Sequence, residues 1–94
     1  MKEPISESSG NVFADLGFEP SEAAILQMRS DLMIDLRRYI ESNKLTRVEA
    51  ARQLGVAQSR VSDLLHGKWE KFSLEMLIAL ATKAGMRISL KRAA

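Results

Sequence analysis

Apolar residues recur at three- and four-residue spacing through most of the chain and then, after Gly85, switch to strict alternation. Ile25, Met28, Leu32, Leu36, Tyr39 and Ile40 form one stripe along residues 20–42, which predicts an amphipathic helix. Pro20 suits the first turn of that helix, where a missing N–H costs nothing. Glu19 and Glu22 stand near the positive end of its dipole, and Asn43 is its stop. The pattern fits either one helix or two, broken near Ser30. Before it, NVFADLGFEP carries Val12, Phe13, Leu16 and Phe18 between Gly17 and Pro20 punctuation, and reads as a docked turn. Residues 1–11 are polar, with Pro and Gly, and read as a flexible tail.

Three shorter elements follow. Thr46 opens a helix, because its hydroxyl can accept from orphan N–H groups and Glu49 three residues later completes a capping box. Ala50, Ala51 and Leu54 point inward, and Gly55 ends the helix by taking the left-handed conformation. A second helix runs from about Ala57 to Leu65 with Val61, Leu64 and Leu65 as its apolar face. His66-Gly67-Lys68 ends it, with His66 as a C-cap rather than a metal ligand. Trp69 and Phe72 then close the core. Ser73 caps a helix over 74–84 with Leu74, Leu77, Ile78 and Ala81 inward, ended by Gly85. In residues 86–92, Met86, Ile88 and Leu90 alternate with Arg87, Ser89 and Lys91, the pattern of a strand with one apolar face. A lone strand needs a partner. The economical one is the same strand of a second subunit; pairing with the N-terminal arm, or a frayed tail, are the alternatives.

Composition narrows the class. A chain of 94 residues is expected to form one domain with a modest core, residues 12–94 here, and is small enough for a dimer. The absence of Cys excludes a disulfide framework and a thiolate metal site. No apolar run is long enough to cross a bilayer, and Met1-Lys2-Glu3-Pro4 does not start a signal peptide, so the expected compartment is cytoplasmic, with no membrane partner. Residues 1–22 carry one Lys against five acids, a net −4, while residues 23–94 carry 13 Lys and Arg against seven acids, a net +6. An acidic arm on a basic body fits nucleic-acid binding by the body, or else scattered solvated charge. No Ser/His/Asp arrangement, phosphate-cradling glycine loop or carboxylate pair is evident, so neither enzyme activity nor a cofactor or metal is expected.

The two short helices around Gly55 have the spacing of a helix-turn-helix over residues 46–66. Ala51, four residues before the glycine, keeps the helices close. Val56 plugs the turn, and Val61 and Leu64 face the first helix. The competing reading is an ordinary helical corner. RVEAARQLGVAQSRVSDLLHGK, residues 47–68, resembles the helix-turn-helix of phage-repressor-like (XRE/Cro) regulators. With NVFADLGF, RSDLMIDLRRYI and FSLEMLIALATKAGMRISL around it, the chain is similar to the small antitoxin-type regulators of HigA kind.

The resemblance implies a mainly α fold of about five helices with one C-terminal strand, Met86, Ile88 and Leu90 forming a dimer interface. It also implies that the second short helix enters the DNA major groove. By position, Gln58, Ser59, Arg60, Ser62 and Asp63 become base-reading candidates. Gln58 suits an adenine edge and Arg60 a guanine edge. Asp63 either accepts from a cytosine amino group or braces Arg60 three residues back. Thr46, Arg47, Arg52, Lys68 and Lys71 become phosphate candidates. The implied function is a dimeric, sequence-specific repressor at a double-stranded operator. A second implied partner is a small basic mRNA-cleaving toxin of the HigB/RelE kind, touched by Val12, Phe13, Leu16 and Phe18 of the acidic arm, unless these residues only pack on the body. The alternatives are a stand-alone regulator and an interaction module that keeps the shape without reading DNA.

Overall fold

The computed structural model describes residues 11–90. The first helix, α1 (Val12–Asp15), exists because the Asn11 side-chain oxygen accepts from the N–H groups of Phe13 and Ala14 at 2.8 and 3.2 Å. The Asn11 amide then donates to the Ala23 carbonyl at 2.9 Å, which ties α1 to the helix that follows. The segment read as a docked turn is therefore a capped helical turn, packed on its neighbour.

The next helix, α2 (Pro20–Ser42), is continuous through Ser30, which settles the question of one helix or two. Glu19 caps it, accepting from the N–H groups of Ser21 and Glu22 at 3.0 and 3.2 Å. The Ser21 hydroxyl and these amides hold the Glu19 carboxyl below its ordinary range, because they stabilise the charged form. The buried face of α2 is Ala23, Met33, Leu36 and Ile40. Leu32 and Tyr39 pack at its edge, whereas Ile25 and Met28 of the expected stripe are exposed. Periodicity marks an apolar face of α2, but its neighbours decide which part is covered. The covering elements lie on the Met33–Leu36–Ile40 side.

The helix α3 (Arg47–Leu54) starts with the expected capping box. Thr46 Oγ1 accepts from Glu49 N–H at 3.1 Å, and Glu49 Oε1 accepts from Thr46 N–H at 2.8 Å. It ends at Gly55 with φ 70° and ψ 34°, and the Val56 N–H closes the turn on the Ala51 carbonyl at 3.0 Å. The helix α4 (Gln58–Leu65) follows after a corner of three residues and ends at His66. A 3₁₀ turn (Trp69–Lys71) leads to α5 (Leu74–Lys83), where Ser73 Oγ accepts from Met76 N–H at 3.1 Å. Phe72, Leu36, Leu54, Leu64, Leu77 and Val61 are the largest fully buried side chains, and they come from every element except α1 and the 3₁₀ turn itself. Phe72 closes the core as expected; Trp69 stays half-exposed.

The C-terminal segment differs from the expectation. No strand is present among the described residues. Met86 packs against the core, but Ile88 and Leu90 are 43% and 76% exposed, so the chain's own helices do not cover the apolar face of this segment. The physical reason is the one that makes a lone strand incomplete: its ladder hydrogen bonds need a second strand, and the described chain offers none. Residues 91 and 92, and the tail before Asn11, lie outside the described residues.

Candidate nucleic-acid interface

Two helices of eight residues cannot hold themselves in place by propensity, so α3 and α4 are positioned by what they bury. Ala50, Ala51 and Leu54 of α3 and Val61 and Leu64 of α4 are all buried, and both helices rest on α2, α5 or both. The positive φ at Gly55 makes the corner possible. Lys83 of α5 lies over it, with Nζ 3.0 Å from where a Cβ on Gly55 would sit. This lysine was not singled out from the sequence, since it is 28 residues from the glycine and only the fold brings it there.

The opposite face of the corner is polar. Gln58 and Ser59 are exposed in the first turn of α4. Ala57 precedes them as N-cap, and no side chain caps this helix. The first α4 amides therefore spend nothing on a side-chain acceptor, in contrast with the capped start of α3. Arg47, at the first position of α3, and Arg52, in its last turn, are exposed, as are Lys68 and Lys71 beyond α4. Thr46 already uses its hydroxyl oxygen to cap α3, which leaves its hydroxyl hydrogen to donate.

The remaining candidates have partners inside the protein. Arg60 is half-buried. Its guanidinium donates to the Lys71 carbonyl at 3.1 Å and lies 5.5 Å from the Phe72 ring centroid. Of the two roles left open for Asp63, the brace to Arg60 is absent among the described contacts; Asp63 is instead 3.9 Å from Lys68 Nζ. Ser62 is half-buried, with its hydroxyl 3.3 Å from His66 Nδ1, and the same nitrogen is 2.7 Å from the Ser62 carbonyl oxygen. His66 thus sits at the C-cap of α4 as expected.

This arrangement of a capped helix, a left-handed glycine and an uncapped second helix agrees with comparison to known proteins. Residues 12–91 match a family described as a helix-turn-helix domain. The chain belongs to this family. No curated protein matches the chain. The helix-turn-helix domain is a DNA-binding module, and no helix among the described residues is long and apolar enough to cross a membrane.

Around the helix-turn-helix the structure also places Arg29, which the sequence gave no reason to pick. Its guanidinium donates to the Trp69 carbonyl at 2.8 Å and lies 5.1 Å from the Trp69 ring centroid, fastening the turn after α4 to α2. Arg29 and Trp69 are 40 positions apart, beyond any local spacing rule.

The contacts of Arg60 separate it from Gln58. Replacing Arg60 by Ala removes a stacked guanidinium and a hydrogen bond, and is expected to cost about 1 kcal/mol in urea unfolding. Gln58→Ala, at an exposed helical position, is expected to stay within about 0.5 kcal/mol of the parent. Equal stabilities for the two variants would show that Arg60 is not a structural tie.

Proposed function

We propose that this helix-turn-helix domain is a sequence-specific DNA-binding repressor that acts as a dimer at an operator. One observation carries the reading: α4 presents exposed Gln58 and Ser59, with uncapped amides, at the end of the helix that the motif aims at base edges. Gln58 reads an adenine edge through its amide, and Ser59 contacts a base or a phosphate. Ser62 and Asp63 lie one turn farther along and contribute less directly. Arg60, engaged with Lys71 and Phe72, holds α4 to the turn behind it, and reaches DNA only by leaving those partners. Arg47, Arg52, Lys68 and Lys71, with the Thr46 hydroxyl, hold phosphates on either side. The domain is proposed to have no enzyme activity.

Dimerisation uses the segment from Met86. The exposure of Ile88 and Leu90 supports this, because pairing two such segments covers both apolar side chains and completes the ladder. Two recognition helices then stand about 34 Å apart on one face of the duplex. A second part of the reading is an antitoxin role, with a small basic mRNA-cleaving toxin as partner. It is supported by the acidic balance of residues 1–22 and by the exposure of Val12 on α1 and of Leu16 at its C-cap, 59% and 70%. Phe18 is also exposed, while Phe13 is half-buried and meets it edge to face at 6.0 Å. A small basic toxin reading frame beside its gene, and a product that co-purifies with this chain, would support the antitoxin role. A neighbouring gene of another kind would leave a stand-alone regulator.

A mobility shift with DNA upstream of its own gene, at two salt concentrations, tests the DNA reading. Specific binding should survive calf-thymus competitor. Arg47→Ala should weaken all sequences alike and flatten the salt slope by about one unit. Gln58→Ala should lower discrimination at one base pair by roughly 1–3 kcal/mol. Binding that competitor abolishes would end the repressor reading. For the dimer, Ile88→Asp should sediment as a monomer; a persistent dimer would place the interface elsewhere.

A further inference from the structure

Along α4, Ser59, Ser62 and Asp63 follow one another at helical spacing, and His66 continues the same row. The row lies on the side of the helix away from buried Val61 and Leu64. His66 is exposed, and it is the C-terminal member of the face whose other end carries a candidate base contact. Lys68, a candidate phosphate contact, follows just beyond it. The 8 residues of α4 span about 12 Å, close to the width of the major groove. A helix with Ser59 at the base edges therefore brings His66 to the flank of the groove, where the phosphates run.

The ring is held in one orientation. Its Nδ1 lies 2.7 Å from the Ser62 carbonyl oxygen and 3.3 Å from the Ser62 hydroxyl. A carbonyl oxygen only accepts, so Nδ1 carries a hydrogen. Nε2 is then the free nitrogen, and protonation decides what it can do. In the neutral ring it presents a lone pair, which a phosphate oxygen repels. In the imidazolium it is an N–H donor, and the C-terminal end of the α4 dipole favours that positive charge. Among the described contacts His66 bonds only to Ser62. On its own helix, Asp63 faces Lys68 instead. The elements packed against α4 bring Glu70 and Lys71 on the turn, Arg29 and Arg37 on α2, and Arg47, Glu49 and Arg52 on α3. None of these is bonded to the ring among the described contacts.

We propose that His66, as an imidazolium, is a phosphate ligand of the DNA-bound domain, so that DNA binding takes up a proton. This rests on the DNA-binding reading above and adds a residue to it. Nε2–H donates to a phosphate oxygen beside the phosphate held by Lys68. His66 is the only histidine of the sequence, and histidine is the side chain whose charge ordinarily changes near neutral pH.

The test is fluorescence anisotropy of the full chain with duplex from upstream of its own gene, at about pH 6 and about pH 8 and several salt concentrations. The parent is expected to bind about tenfold tighter at the lower pH. His66→Asn keeps a polar C-cap, and should bind within about twofold at the two pH values, with a salt slope at the lower pH about one unit flatter than the parent's. Circular dichroism at both pH values shows whether parent and variant are folded. A histidine that only caps α4 would alter stability and leave the salt slope unchanged. Specific binding by the parent that is equally tight at both pH values overturns the proposal and leaves the DNA reading standing, as does a pH dependence that survives in folded His66→Asn. No specific binding at either pH overturns both. The parent's own titrations decide the matter even if His66→Asn fails to fold.

Discussion

The burial of Val61 and Leu64 across the corner at Gly55 is the constraint on which the rest depends. A helix of eight residues has too few hydrogen bonds to persist alone. α4 is therefore a helix, and points where it does, because two of its side chains fill a core shared with Leu36, Leu54 and Leu77. The corner needs a left-handed residue, and glycine takes φ 70° without a Cβ clash. Once the apolar side of α4 is fixed in this way, its other side is fixed as well, and Gln58 and Ser59 are held toward solvent.

The polar residues of α4 divide by what holds them. Arg60, Ser62 and Asp63 have partners within a few residues or across the turn: the Lys71 carbonyl and Phe72 ring, His66, and Lys68. Gln58 and Ser59 stand at an end where the cap is an alanine. The candidate interface is therefore narrower than the run of polar side chains implies. Part of that run braces the recognition helix against the turn behind it, where Arg29 and Trp69 continue the brace to α2. Rigidity at this point suits a helix that must meet a groove in one orientation.

Features written in local chemistry were legible in the sequence. Thr46 with Glu49, Ser73 three residues before Met76, and Gly55 after Leu54 each act within one helical turn, and each forms the contact its residue type predicts. What was not legible depends on elements brought together from afar. The apolar stripe of α2 was visible, but Ile25 and Met28 are exposed because the covering helices lie to one side of it. Arg60 turned from Asp63, three residues away, to a carbonyl 11 residues away, which no spacing rule could select. Strand alternation after Gly85 was visible too, yet a ladder belongs to a pair of segments, and the described residues hold only one such segment.

The central claim is that the uncapped start of α4 and the basic residues flanking it meet DNA. The most direct measurement is a nuclear magnetic resonance titration of the 15N-labelled chain with duplex from upstream of its own gene. The account expects the largest amide shifts at Gln58, Ser59, Arg47 and Lys68, with small shifts at Ile25 and Met28 on the far part of α2. Shifts centred on α1 and α2, with Gln58 and Ser59 unmoved at saturation, would contradict it.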